Sequence, residues 1–331
     1  MKSLQETLHI KYPIISGPMA WTSMAPLVGA VSNAGGFGVL GVGFSPSEVV
    51  AHEIEATQQL TDKPFAINVT IFPEVEENLE RVTAIAAREG VGYIYADNGA
   101  GLERDFTQKW FDKWHALGMT VLTKVMTSNE AQVADDCGAD VIIAKGWEGG
   151  GHISLEGTMA LLPQVMDVVK HALVVASGGI ADGRGYAAAR MFGCAGIEMG
   201  TRFMAATEGS THENVKRAVV AAQDGDVVMT GASTGAPCWQ LKNQLSDQMA
   251  AIERADKPSV AAEKLQTIAV SSLRQASEKG NVTDRGAVMA GQVVPLVKQV
   301  EPVAQILEET YRDGIRILRQ TADLPECQVK A

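Results

Sequence analysis

Of the six histidines in this 331-residue sequence, only His152 falls in a glycine-rich stretch, Gly149-Gly150-Gly151-His152, that follows a short apolar run. An imidazole with an ordinary pKa near ~6.5 exchanges a proton at neutral pH, and bare backbone beside it lets a ligand approach closely. His152 therefore reads as a proton donor or carbonyl polariser, or more plainly as a histidine capping a turn. His9, His52, His115, His171 and His212 lie outside such stretches and read as structural. Gly178-Gly179 and Gly200-Thr201 each close an apolar run. Unobstructed backbone N–H groups at two adjacent turns converge on a phosphate, although glycines also serve tight turns with no ligand. Asn68 and Lys124 interrupt apolar runs, where a polar group costs free energy unless it finds a partner. Each is either a ligand contact or a satisfied structural group, and the same two readings hold for Glu148 and Asp182. Met19, Trp21 and Met289 suit the faces of a flat aromatic ligand and suit a core equally well.

The elements that must position these residues follow from the spacing of apolar runs bounded by glycine or proline. Such runs predict strands at 13–16, 37–41, 64–69, 92–95, 120–124, 140–145, 172–177 and 196–200. Between them, stretches of helical composition occupy 25–34, 46–59, 76–88, 103–117, 128–137, 159–171 and 183–191. Strict alternation of strand and helix predicts an α/β fold, a (β/α)8 TIM barrel. Runs such as VIIA and LVVAS are apolar on both faces, as strands between a filled interior and outer helices must be. Barrel chemistry gathers at the loops after the strands, where the glycine pairs and His152 fall. We expect residues 1–206 to form the barrel, 207–285 a mostly helical cap inserted after the eighth strand, and 286–331 a return to the barrel. The apolar spacing of Ile306, Leu307, Tyr311, Ile315 and Leu318 predicts a last wall helix there.

Composition limits the partners. With 28 Lys and Arg against 39 Asp and Glu, the formal charge of −11 repels nucleic-acid phosphates and anionic lipid. No run approaches the ~18 apolar residues of a membrane span, and the first residues lack the apolar centre of a signal peptide. The four cysteines, Cys137, Cys194, Cys238 and Cys327, show no metal-ligand or disulfide spacing, so the expected home is the reduced cytoplasm and no metal site is expected. None of them falls in a loop at the active end of the predicted strands, Cys238 in the insertion being the least certain, which argues against a thiol nucleophile. Neither a first-unit GxGxxG nor a GxxxxGK[ST] loop is present. What remains from the residues alone is a phosphate-anchored ligand, a histidine and a flat apolar wall, which a phosphate-binding isomerase or aldolase would also use.

The ordered segments YPIISGPMAW, DKPFAINVT, GGGHIS, ASGGIADGRG, EMGTRF, KNQLS and VMAGQ resemble the flavin-dependent barrels that include enoyl-acyl-carrier-protein reductase II, nitronate monooxygenase and related NADH:quinone reductases. GGHI, KNQL and VMAGQ are most similar to the enoyl reductase branch. The resemblance implies non-covalent FMN, with Ser177, Gly178, Gly179, Gly200 and Thr201 about the phosphate and Met19, Ala20, Asn68, Lys124, Gly150, Gly151 and Met289 about the remainder. It implies reduction of trans-2-enoyl thioesters in fatty-acid synthesis by NADH or NADPH, with His152 polarising the carbonyl or supplying the α-proton. The alternatives within the family are oxygen-dependent oxidation of alkyl nitronates and quinone reduction. A monovalent cation near the insertion, a homodimer and an acyl-carrier-protein thioester as partner are further implications. Lys216, Arg217 and Lys242 are candidates for a basic patch facing that acidic carrier, or simply solvated charges. Three departures stand out: Lys145 where an acidic residue is expected, Lys124 as in the monooxygenase branch, and Pro18 in place of glycine.

Overall fold

A computed structural model describes residues 2–43, 45–98, 101–324 and 327. In chain order the strands are β1 (Ile14–Ser16), β2 (Phe37–Leu40), β3 (Phe65–Thr70), β4 (Tyr93–Asp97), β5 (Thr120–Val125), β6 (Val141–Lys145), β7 (Gly151–His152), β8 (Leu173–Ser177), β9 (Gly196–Met199), β10 (Val227–Thr230) and β11 (Cys238–Leu241). All of them except β7, β10 and β11 pair in parallel and close into a barrel, β9 returning to β1 through Ile14↔Ile197. Each of the eight predicted runs overlaps one barrel strand, with ends that differ by no more than two residues. The two-residue β7 was not expected; it joins β10 and β11 in a separate antiparallel sheet.

Side chains on a strand alternate between faces, so every second residue points into the barrel. Ile15, Phe37, Val39, Ala66, Tyr95, Leu122, Ile143 and Val175 form one interior cluster, together with Leu4 and Leu8 of the N-terminal helix. Leu4 meets Gly196 at the start of β9, so that helix plugs the N-terminal end of the barrel. Two residues beyond the interior apolar layer, on the same faces, stand Asn68, Asp97, Lys124, Lys145 and Ser177. Glu198 joins them from β9, in register with Ile15 on one side and Ser177 on the other. The barrel interior is thus dry at its base and polar at its C-terminal mouth.

A second and larger apolar cluster lies between strands and surrounding helices. Helix Val303–Ala322 seals the wall against helix Gly183–Met191, where a Cβ at Gly314 would stand 2.3 Å from the Tyr186 ring. Between Thr207 and Arg285 the chain forms helices Glu213–Ala221, Gln244–Ala255, Pro258–Ile268 and Ser272–Ser277 together with the β10–β11 hairpin. Among the described residues, no helix is long and apolar enough to cross a membrane.

Candidate active site

Two adjoining cavities open at the C-terminal mouth. The smaller, about 80 Å³, is bounded by Ser177, Gly178, Gly179, Gly200 and Thr201. Gly178 and Gly179 adopt φ of 84° and 73°, a region that side-chain-bearing residues rarely enter. A Cβ on Gly178 would also come within 2.9 Å of the Gly146 carbonyl oxygen. The cradle therefore depends on bare backbone, the surface that an anion needs. Thr201 accepts a hydrogen bond from the Gly291 N–H at 2.9 Å, which brings the segment around Met289 over the cradle.

The larger cavity, about 400 Å³, is lined by Met19, Ala20, Asn68, Lys124, Gly150, Gly151, His152 and Met289. Met19, Gly150, Met289, Lys145 and Glu198 border both spaces. His152 and the twelve residues that the resemblance assigns to FMN thus each lie at one cavity or the other. Val215, Ala269, Leu273, Ala276, Ala287 and Val288 supply an apolar lining to the same cavity, most of it from the chain between Thr207 and Arg285.

Asn68 is buried and engaged by the fold: its Oδ1 accepts from the Gly43 N–H at 3.2 Å and its Nδ2 donates to the Tyr95 carbonyl at 3.3 Å. Lys124 is ion-paired with Asp97. Glu198, 6% exposed, accepts from Ser177 Oγ at 2.7 Å and from the Tyr95 hydroxyl at 2.9 Å. Burial pushes its carboxyl above the usual range, against the pull of those hydrogen bonds and of Lys145 and Lys124. The Lys145 Nζ donates to the Gly150 carbonyl at 2.7 Å. Burial, reinforced by the charge of Lys124, brings this ammonium down to about 8. From the sequence Lys145 stands out only as a departure from the family pattern, and Tyr95, Asp97 and Glu198 are not singled out at all. For Asp97 and Lys145 the signal is a charged residue two places beyond an inward-facing one at a strand's end.

His152 is open towards solvent at the cavity mouth. Desolvation by the loops around it, then the like charges of Lys124 and Lys145, lower its pKa below the ordinary value, with Asp97 opposing. The imidazole is accordingly neutral at pH 7. Its position is set by distant parts of the chain: β7 pairs with β11 through His152↔Cys238, and Trp239 Nε1 donates to the Trp147 carbonyl at 2.7 Å. The Gln292 N–H donates to the Glu148 carbonyl at 2.9 Å.

Several residues take structural roles. The Glu148 carboxylate accepts from the Thr158 N–H and hydroxyl, fastening the glycine loop to the next helix, and Asp182 caps helix Gly183–Met191. Trp21 is directed to the Arg274 guanidinium, 4.9 Å from its ring centre, rather than to the cavity. Lys216 is buried and bonded to Thr207 and Glu213, so it is no part of a surface basic patch. Cys238, in contrast, reaches the cavity because β11 folds back over the barrel mouth. Burial raises its thiol to about 11, leaving it a protonated wall group and a poor nucleophile. The spacing Gly231-Ala232-Ser233-Thr234-Gly235 lies in the turn of the β10–β11 hairpin, where the Ser233 hydroxyl donates to Glu253. It is not the strand-to-helix elbow that a serine nucleophile requires. Among the described residues, no group of acidic, histidine or cysteine side chains is arranged to hold a metal ion.

The same architecture occurs in known proteins. FabK from Thermotoga maritima superposes with a TM-score of 0.88 at 31% identity, covering 97% of this chain and 98% of that one. A probable nitronate monooxygenase of Staphylococcus saprophyticus is 30% identical over 73% of this chain and 79% of its own. The (3aS,4S,5R,7aS)-5-hydroxy-7a-methyl-1-oxo-octahydro-1H-indene-4-carboxyl-CoA dehydrogenase of Mycobacterium tuberculosis is 34% identical over 76% of this chain and 69% of its own. The nitronate monooxygenase family profile matches residues 2–313, and with the barrel and its mouth this makes the chain a member of that family, an oxidoreductase of the flavin type.

Proposed function

We propose that this protein is an FMN-dependent reductase of trans-2-enoyl thioesters that draws its electrons from NADH or NADPH, with acyl-carrier-protein thioesters as substrate in fatty-acid synthesis. The observation that carries this reading is the apolar lining of the larger cavity that His152 also borders, which suits an acyl chain and exceeds what a small nitronate needs. The chemistry named for two of the relatives, FabK as an enoyl reductase and the carboxyl-CoA dehydrogenase, is also thioester chemistry.

The residues present fit FMN. Gly178, Gly179, Gly200 and Thr201, beside Ser177, would hold the phosphate on a cradle that a side chain would fill. Met19, Ala20, Asn68, Lys124, Gly150, Gly151 and Met289 would surround the remainder. When bound, the group supplies two-electron transfer between nicotinamide and the enoyl β-carbon. A neutral His152 donates a hydrogen bond to the thioester carbonyl and so stabilises the negative charge that develops on its oxygen.

Anaerobic titration of the holoenzyme tests the reading. NADH or NADPH bleaches the flavin, and crotonyl thioester restores its colour; reduced flavin left untouched by the thioester overturns the proposal. The second reading is oxidation of alkyl nitronates, favoured by the match of the nitronate monooxygenase family profile over residues 2–313. Under it, an alkyl nitronate bleaches the flavin with no nicotinamide present. Reoxidation by quinone and not by thioester marks the third branch.

A further inference from the structure

Lys145 ends β6 on the inward face and borders both cavities, so a ligand tethered in the glycine cradle and extended towards His152 must pass it. Its Nζ donates to the Gly150 carbonyl at 2.7 Å, two residues before His152. Among the described residues, no carboxylate lies within ion-pair distance of this nitrogen, whereas Lys124 is paired with Asp97. The titratable groups facing it are Lys124 on β5, Asp97 on β4, Glu198 on β9, His152 on β7 and Cys238 on β11. Asp97 is engaged by Lys124, and Glu198 by Ser177 and Tyr95. Lys145 is left as a cation at the cavity wall whose protein partner is a single carbonyl.

We propose that Lys145 is a catalytic residue, the acid that delivers a proton to the α-carbon of the enoyl thioester while His152 holds the carbonyl oxygen. This rests on the enoyl reductase reading above. Hydride from the reduced cofactor, itself reduced by NADH or NADPH, forms the new C–H bond at the β-carbon. The π pair of the C=C bond shifts towards the α-carbon and carbonyl oxygen. The α-carbon then takes a proton from the ammonium; the N–H electrons stay on the amine, which regains a proton from water. One nicotinamide is oxidised and one C=C bond reduced in each turnover. An effective acid needs a pKa near the working pH, and a lysine brought to about 8 meets that condition. The lowered pKa of His152 disfavours the imidazolium form as the proton donor.

The test separates the half-reactions of wild type, Lys145→Met and Lys145→Arg by anaerobic stopped flow. Reduction of the flavin by NADH stays within about threefold of wild type in both variants, while reoxidation by crotonyl thioester slows by about 100-fold in Lys145→Met. Wild-type reoxidation falls above pH ~8, Lys145→Met is flat with pH, and in Lys145→Arg the fall moves beyond pH ~10. A Lys145→Met enzyme that reoxidises within about threefold of wild type, or keeps the fall near pH 8, overturns the assignment while the enoyl reductase reading stands. Wild-type reduced flavin that ignores the thioester overturns that reading, and the lysine's role with it. A measurement independent of turnover is competitive acetylation of the wild-type holoenzyme followed by peptide mass spectrometry. Lys145 reactivity should inflect near pH 8 and surface lysines near ~10.4; an ordinary inflection at Lys145 refutes the proposal.

Discussion

Gly178 and Gly200 are legible as anion-binding residues because each lies in its own strand-to-helix turn, and such a turn is a local property of sequence. The geometry adds a reason why a side chain at Gly178 would displace the cradle. Its φ of 84° excludes a side chain by backbone strain, and the Gly146 carbonyl at 2.9 Å excludes it by contact. Gly178→Ala is therefore expected to lose FMN through dialysis while retaining the wild-type circular dichroism, with a flavin Kd raised by at least about tenfold, equivalent to ~1.4 kcal/mol. Retention of stoichiometric flavin by that variant would mean that the phosphate is held elsewhere. His152 was equally legible from its glycine flank, but its protonation was not. The depressing influence comes first from desolvation by the loops around it and then from Lys124 and Lys145, on two other strands.

At the level of elements, the decisive unit is the loop after β6, held by contacts from remote sequence. Gly150 lies so close to the 289–291 segment that a Cβ there would stand 2.8 Å from the Met289 oxygen, the Ala290 carbonyl carbon and the Gly291 nitrogen. All three are backbone atoms and cannot swing aside as a flexible side chain would. Gly150→Ala is expected to separate the two segments and strain the Gly291–Thr201 and Gln292–Glu148 hydrogen bonds. Hydrogen exchange should then quicken at 149–152 and 289–292 together, with the barrel strands unchanged. Protection that persists in both segments would show that they are not one unit. The β10–β11 hairpin belongs to the same unit, since β11 pairs with β7 and carries Cys238 into the cavity. Its contribution was invisible in a region whose composition reads as helical.

For the whole molecule, the polar mouth of the barrel is a place where function opposes stability. Lys145 has a folded-state pKa of about 8 against an ordinary 10.5, so between these values the unfolded chain holds a proton that the folded chain has released. Stability contributed through this group therefore rises with pH from about 8 to 10.5, and the full cost of the buried charge is present at pH 7. That cost is at most ~3.5 kcal/mol, from about 1.4 kcal/mol for each pKa unit. Lys145→Met is expected to resist urea better than wild type at pH 7, the gap closing by pH ~10 as the wild-type amine discharges. A gap unchanged with pH would mean that the ammonium bears no such cost.

The sequence by itself determined the eight strands, their alternation with helices, the glycine cradle and the histidine, because apolar runs and turn residues act within a few positions of where they stand. It carried the barrel closure only as an inference from strand count. The meeting of Tyr95, Asp97, Lys145 and Glu198, the pairing of Cys238 with His152, and the strap over Gly150 were decided by tertiary structure alone. Alternation tells which face of a strand a residue occupies. Register between strands, and the return of the insertion across the mouth, are set by packing between residues far apart in the chain.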